Sequence, residues 1–166
     1  MSERTIPVNM GQLAISGDPE DVLIALGLGS CIAVCVYDPI RHIGGMIHVV
    51  LPDSAISGPA DTPAKFADLG VPRLLEEVQK AGAMRFRMRI ALAGGANVLA
   101  AMNHGMDIGS RNATAVLASL SSHGLVPIAS DVGGNSSRTV RLRVSTGEIT
   151  VKTLRAGEAV LAALVY

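Results

Sequence analysis

Between residues 32 and 51 the chain reads IAVCVY, then a short polar link, DPIRHIG, then GMIHVVL. Two apolar runs, 32–37 and 45–51, separated by so short a connection suit a β-hairpin with its turn near Arg41. No other feature restricts the fold as strongly. A hairpin rules out a wholly parallel sheet, and strands this apolar must be covered by further layers.

The flanking segments supply those layers. Residues 21–28, with VLIAL bounded by DPED and Gly27, read as another buried strand, and 8–16 is a weaker candidate. Residues 64–81 carry Phe66, Leu69, Leu74, Leu75 and Val78 near helical spacing, with Gly70 and Pro72 expected to kink or split the helix and Gly82 to end it. Residues 84–93 alternate Met, Arg and Phe before turning fully apolar, as a strand entering a core does. Residues 108–122 predict a second helix with Val116, Leu117 and Leu120 as its buried stripe, closed by Gly124. Residues 126–130, 139–145 and 149–154 read as strands, the last two joined by a tight Ser-Thr-Gly-Glu turn. Residues 53–63, DSAISGPADTP, are the most loop-like stretch. The expectation is α+β: one domain over 1–166, a layered α/β sandwich of mixed, largely antiparallel strands, six to eight in number, with two or three helices.

Composition narrows the function. Hydrophobic residues make up 49% and charged residues 17% of the 166, which fits a packed core and not a disordered chain. The formal net charge is zero, so nothing favours nucleic acid or an anionic membrane. Two Phe, two Tyr and no Trp leave no base-stacking platform. The first ten residues lack the apolar core of a signal peptide, and no apolar run approaches the roughly 18 residues of a membrane span. With two cysteines, this predicts a reduced, cytoplasmic protein.

Chemistry concentrates at Cys31 and His48. Cys31 follows Gly27, Gly29 and Ser30, a turn whose backbone can approach a substrate and offer N–H groups to an oxyanion. His48 sits in the second apolar run. In the antiparallel hairpin it lies opposite residue 33 or 34. In the first register Cys31 is its diagonal neighbour on the same face, roughly 7–8 Å away at the backbone; in the second the two side chains point apart. A thiolate beside an imidazole is an activated pair for acyl chemistry, whereas a cysteine entering a buried strand is also an ordinary core residue. Cys35, mid-strand, reads as a small hydrophobe. It cannot pair with Cys31, because four strand residues span roughly 13 Å. Ser30 is a turn residue before it is a nucleophile. The G-L-G-S-C-I run lacks the third glycine and the following helix of a dinucleotide site. Cys31, Cys35, His42 and His48 do not converge as metal ligands, so neither metal nor cofactor is expected. His42, His104 and His123 fall at turns or helix ends, where solvation or capping is expected. The Gly94–Gly95 and Gly133–Gly134 turns are candidates for lining a cleft or are turn geometry alone. Asn97, Arg111 and Arg138 are candidates for substrate contact or carboxylate pairing.

Five segments in order, LGSCIAVCVYDP…GGMIHVVLPDS, KFADLGVPRLLEEVQKAGA, LAGGANVL, IGSRN and DVGGNSSRTVRLRVSTGEITVK, resemble the chemoreceptor glutamine deamidase family of bacterial chemotaxis, CheD, over about residues 21–152. The resemblance implies a fold like that of the cysteine deamidase toxins. It implies a cytoplasmic amidohydrolase that converts receptor glutamine side chains to glutamate, in some members also hydrolysing glutamyl methyl esters. Nucleophile and histidine would be Cys31 and His48, and the turn read above would add Gly29 and Ser30 as backbone support for the oxyanion. Partners would be methyl-accepting chemoreceptors and the phosphatase CheC. One departure stands out: a threonine often found six residues before the cysteine is Ala25 here. His48 would then take its orientation from a backbone carbonyl, or activity would be weakened and the chain would serve as a binding module regulating a chemotaxis phosphatase.

Overall fold

The structure is a computed structural model, and it describes residues 2–56, 62–98 and 107–165. Ten strands and two α-helices are described in it. In chain order they are β1 (Arg4–Pro7), β2 (Leu13–Ser16), β3 (Asp21–Leu28), β4 (Ile32–Asp38), β5 (Ile43–Val49), α1 (Ala67–Lys80), β6 (Arg89–Gly94), α2 (Ile108–Ser122), β7 (Ala129–Val132), β8 (Arg138–Arg143), β9 (Glu148–Thr153) and β10 (Gly157–Ala163). They form two five-stranded sheets, ordered β1-β3-β8-β9-β10 and β2-β5-β4-β6-β7. Pairings β1–β3 and β6–β7 are parallel; the remaining strand pairs are antiparallel.

The layering follows from strand β4. It is buried along its whole length, so its alternation is hidden in the sequence and appears only in what each face touches. Ile32, Val34 and Val36 point to the helices, joining Ile47, Val49, Val71, Leu74, Leu75, Val78, Val116 and Leu120 in one core. Cys31, Ala33, Cys35 and Tyr37 point the other way and pack with Leu23, Ala25, Leu28, Val140 and Leu142 of the second sheet. The order is therefore helices, sheet, sheet. Large branched residues fill the helix side of β4, and small ones, ending in Tyr37, fill the space between the sheets.

The hairpin pairs Ile32 with Val49 through to Asp38 with Ile43, leaving a four-residue turn, Pro39 to His42. Asp38 holds that turn: its carboxylate accepts from the Ile40 and Arg41 N–H groups and from the Arg87 guanidinium. Burial raises the Asp38 pKa, but the Arg87, Met84, Arg41 and Ile40 donors outweigh it and leave it at about 2.

Helix α1 starts later than its apolar spacing predicts. Phe66 is extended (φ −112°, ψ 140°) and bridges Leu51, with Val50 and Leu51 N–H both donating to the Lys65 carbonyl. The break therefore falls at Phe66, and α1 runs unbroken through Gly70 and Pro72. At its end the Gly82 N–H bonds to the Gln79 carbonyl and the Ala83 N–H to the Val78 carbonyl, a paired closure with Gly82 at φ 116°. Leu69, counted above as part of the apolar stripe, is on the exposed side.

Three further expectations are corrected. Residues 85–87 form a short 3₁₀ turn and not the start of a strand, because the Arg87 side chain and the Met84 N–H are both drawn to Asp38. Leu117 is exposed; the buried stripe of α2 is Gly109, Asn112, Val116 and Leu120. The strand expected at 126–130 lies at Ala129–Val132, since it is the alignment with Ala91–Gly94 that sets its ends. Strands β1 and β10, both sheet edges, carried no periodicity strong enough to be expected.

Candidate active site

The register of the hairpin sets which face His48 occupies. Ala33 pairs with His48, the first of the two alignments, so His48 shares the face of Ala33, Cys31 and Met46 between the sheets. Continued one step, the same register sets Cys31 opposite Val50, diagonal to His48. Both side chains are nearly enclosed, Cys31 at 8% exposure and His48 at 3%.

The imidazole is fixed from the N-terminal segment. Its Nδ1 lies 2.9 Å from the Val8 carbonyl oxygen, so Nδ1 carries the hydrogen and donates it there. Residues 9–12 strap the same position: the Gly11 N–H donates to the His48 carbonyl, and the His48 N–H to the Gln12 carbonyl, each at 3.0 Å. Val8 is in turn tied to β3 through the Ile24 carbonyl. Ala25 is fully buried in the inter-sheet core, and ring orientation here comes from a backbone carbonyl, not from a side chain at that position. With Nδ1 committed, Nε2 presents a lone pair, and it is buried with no hydrogen-bond partner among the described residues.

Burial pushes the Cys31 thiol up. It pushes the His48 imidazole down, an effect opposed by the bond to Val8. Both directions favour the neutral forms of the thiol and the imidazole, and no hydrogen bond joins the two side chains in the structure. Cys35, 1% exposed and pushed up to about 12 by burial, stays a protonated core thiol; both cysteines are free.

The glycine turns pack around Cys31. The Gly95 N–H donates to the Cys31 carbonyl and the Ala96 N–H to the Gly29 carbonyl, both at 2.8 Å. Gly94, at φ 117°, must lack a side chain because a Cβ would overlap the Cys31 carbonyl oxygen. The second pair is stitched to the first: the Gly133 N–H donates to the Gly94 carbonyl and the Asn97 N–H to the Gly134 carbonyl. Buried Arg138 joins them, donating to the carbonyls of Gly94 and Gly133 and pairing with Asp131 at 3.3 Å. Gly29, Ser30, Gly94 and Gly95 thus form the immediate wall of Cys31, and Gly133 and Gly134 the layer behind Gly94.

Other candidates lie elsewhere. Arg111 is exposed and lines a groove of about 740 Å³ between the helices with Asp53, Asp68 and His123. His42 meets the Tyr37 hydroxyl at 3.0 Å, and His123 bonds to the Ser119 carbonyl at the end of α2. His104 and the middle of the 53–63 loop lie outside the described residues. No group of three or more His, Cys, Asp or Glu among the described residues is placed to hold a metal, and no described helix is long and apolar enough to cross a membrane.

Asn112 was missed. It is fully buried, and its Nδ2 donates to the Ser30 carbonyl at 2.8 Å and to the Val50 carbonyl at 2.9 Å. Its signal was a polar residue four and eight positions before Val116 and Leu120, on a stripe that is otherwise core.

Known proteins are similar to this chain over most of its length. A family model described as CheD chemotactic sensory transduction matches residues 50–153. A probable chemoreceptor glutamine deamidase CheD of Symbiobacterium thermophilum is 43% identical over 162 residues, covering 95% of this chain and 98% of that protein. The chemoreceptor glutamine deamidase CheD of Thermotoga maritima is 42% identical over 151 residues, covering 91% of this chain and 93% of that one. On the family match, and on relatives of this identity aligned almost end to end, the chain belongs to the CheD family.

Proposed function

We propose that this protein hydrolyses glutamine side chains of bacterial chemoreceptors to glutamate and ammonia in the cytoplasm, with Cys31 as nucleophile and His48 as its base. The observation that carries the reading is the unpartnered Nε2 of His48, buried on the same sheet face as Cys31 with Nδ1 already committed to Val8. The names of the relatives supply the substrate class.

From a neutral resting pair, His48 Nε2 accepts the thiol proton as sulfur attacks the carboxamide carbon. The new C–S bond forms a tetrahedral oxyanion, held by backbone N–H groups of the Gly29–Cys31 turn. His48 returns its proton to the nitrogen, the C–N bond breaks and ammonia leaves. Water, deprotonated by His48, attacks the thioester; the C–S bond breaks, glutamate departs and the thiol is restored. A glutamyl methyl ester would follow the same path with methanol as leaving group.

The test is mass spectrometry of a receptor cytoplasmic fragment incubated with wild type and with Cys31→Ala. Glutamines gain the mass difference between an amide and an acid only with wild type, while the variant melts as wild type does. Equal conversion by both proteins overturns the mechanism. Conversion by neither, with retained binding to a CheC-type phosphatase, would select the regulatory binding module that the Ala25 position also suits.

A further inference from the structure

We propose that Asn112 is a positioning residue, a clasp on α2 that sets the Ser30–Cys31 peptide for the oxyanion. The proposal rests on the cysteine mechanism above and adds to it the part that aims the donor.

The β4–β5 ladder ends with the pair Ile32–Val49. One step further, at the level of Cys31, the two chains are no longer held by strand hydrogen bonds. Asn112 takes over there. Its two Nδ2 hydrogens reach the carbonyls of Ser30 and Val50, one on each side of the opening. The amide orientation is unambiguous, because both partners are acceptors and only the nitrogen can donate. Its Oδ1 is left buried with no hydrogen-bond partner among the described residues. The unpartnered Oδ1 costs stability, which the two bonds given by Nδ2 must offset, so the side chain is committed to those two carbonyls.

What it holds is a peptide plane. Ser30 C=O and Cys31 N–H belong to one trans amide and point in opposite directions. Drawing the carbonyl toward α2 turns the Cys31 N–H away from the helices. From the other flank, the Gly95 N–H fixes the carbonyl of Cys31 itself. The nucleophile's own N–H is thus given a direction by groups on both sides, while the bond to Val50 ties the Asn112 side chain to the residue that directly follows β5, the strand that carries His48.

The experiment measures turnover of a receptor fragment, alkylation of Cys31 by iodoacetamide and thermal melting, for wild type, Cys31→Ala, Asn112→Asp and Asn112→Ala. Alkylation at a thiol forms no oxyanion, whereas amide hydrolysis does. The expected result is a fall in kcat of about 10- to 100-fold in both Asn112 variants, with KM and the alkylation rate near wild type. Asn112→Asp should show a further signature. As pH falls and its carboxyl is protonated, one donor returns, so the ratio of variant to wild-type kcat rises. Asn112→Ala introduces no buried charge and serves if the aspartate variant does not fold. Turnover within about twofold of wild type overturns the inference, as does a parallel fall in alkylation and turnover, which would mean that the turn has collapsed. If Cys31→Ala is inactive and the Asn112 variants are normal, this inference alone fails; if Cys31→Ala turns over normally, the cysteine mechanism fails with it.

Discussion

At the level of single residues, His48 is tuned by what surrounds it and not by a charged neighbour. Burial disfavours imidazolium, so its pKa lies below the ordinary value of about 6.5. The base form therefore persists into mildly acidic solution. With His48 as the base proposed above, the acid limb of kcat/KM should fall below pH 6.5; a limb at or above that value would count against that role. The same sign applies to stability: a histidine buried neutral contributes fully above its unfolded pKa, and that contribution declines as pH drops below about 6.5. The sequence named both residues of the pair and left the register open, because a one-residue slip in an all-apolar strand changes no pattern visible in the letters. Val8 could not be named at all. Its contribution is a carbonyl, which every residue carries, delivered by a segment 40 positions away.

Among elements, the ends of strands matter more than their middles. β4 and β5 were legible as a hairpin from their apolar runs, and β3 and α2 coincide with their expected bounds. What stayed hidden was the set of glycine turns closing on Cys31, since a glycine pair reads the same whether it bends in open solvent or against a backbone. Gly133 has nothing near an added Cβ, whereas Gly94 faces the Cys31 carbonyl. Gly94→Ala should accordingly lower stability by about 1–3 kcal/mol and reduce turnover at least tenfold, because φ near 117° and the contact with Cys31 both resist the methyl group. Thermal melts and steady-state rates check it; a wild-type melt with wild-type turnover would show that the turn adapts freely.

Across the whole molecule, the three-layer order was foreseeable in class and not in detail. Apolar strands plus two amphipathic helices require a sandwich, but which strands share a sheet depends on pairings between distant segments, such as β3 with β8. The edge strands β1 and β10 were invisible for the same reason: they are short or exposed and owe their form to a neighbour. One consequence of this layering concerns Cys35. It faces the same interior as Cys31, two pleats along, and nothing reaches it until the sheets separate. The molecule therefore carries a built-in gauge of its own breathing. In native buffer a thiol reagent should add once, at position 31, and the far slower arrival of a second adduct would time how often the two sheets come apart; two adducts at equal speed would mean that the interior admits small molecules without opening.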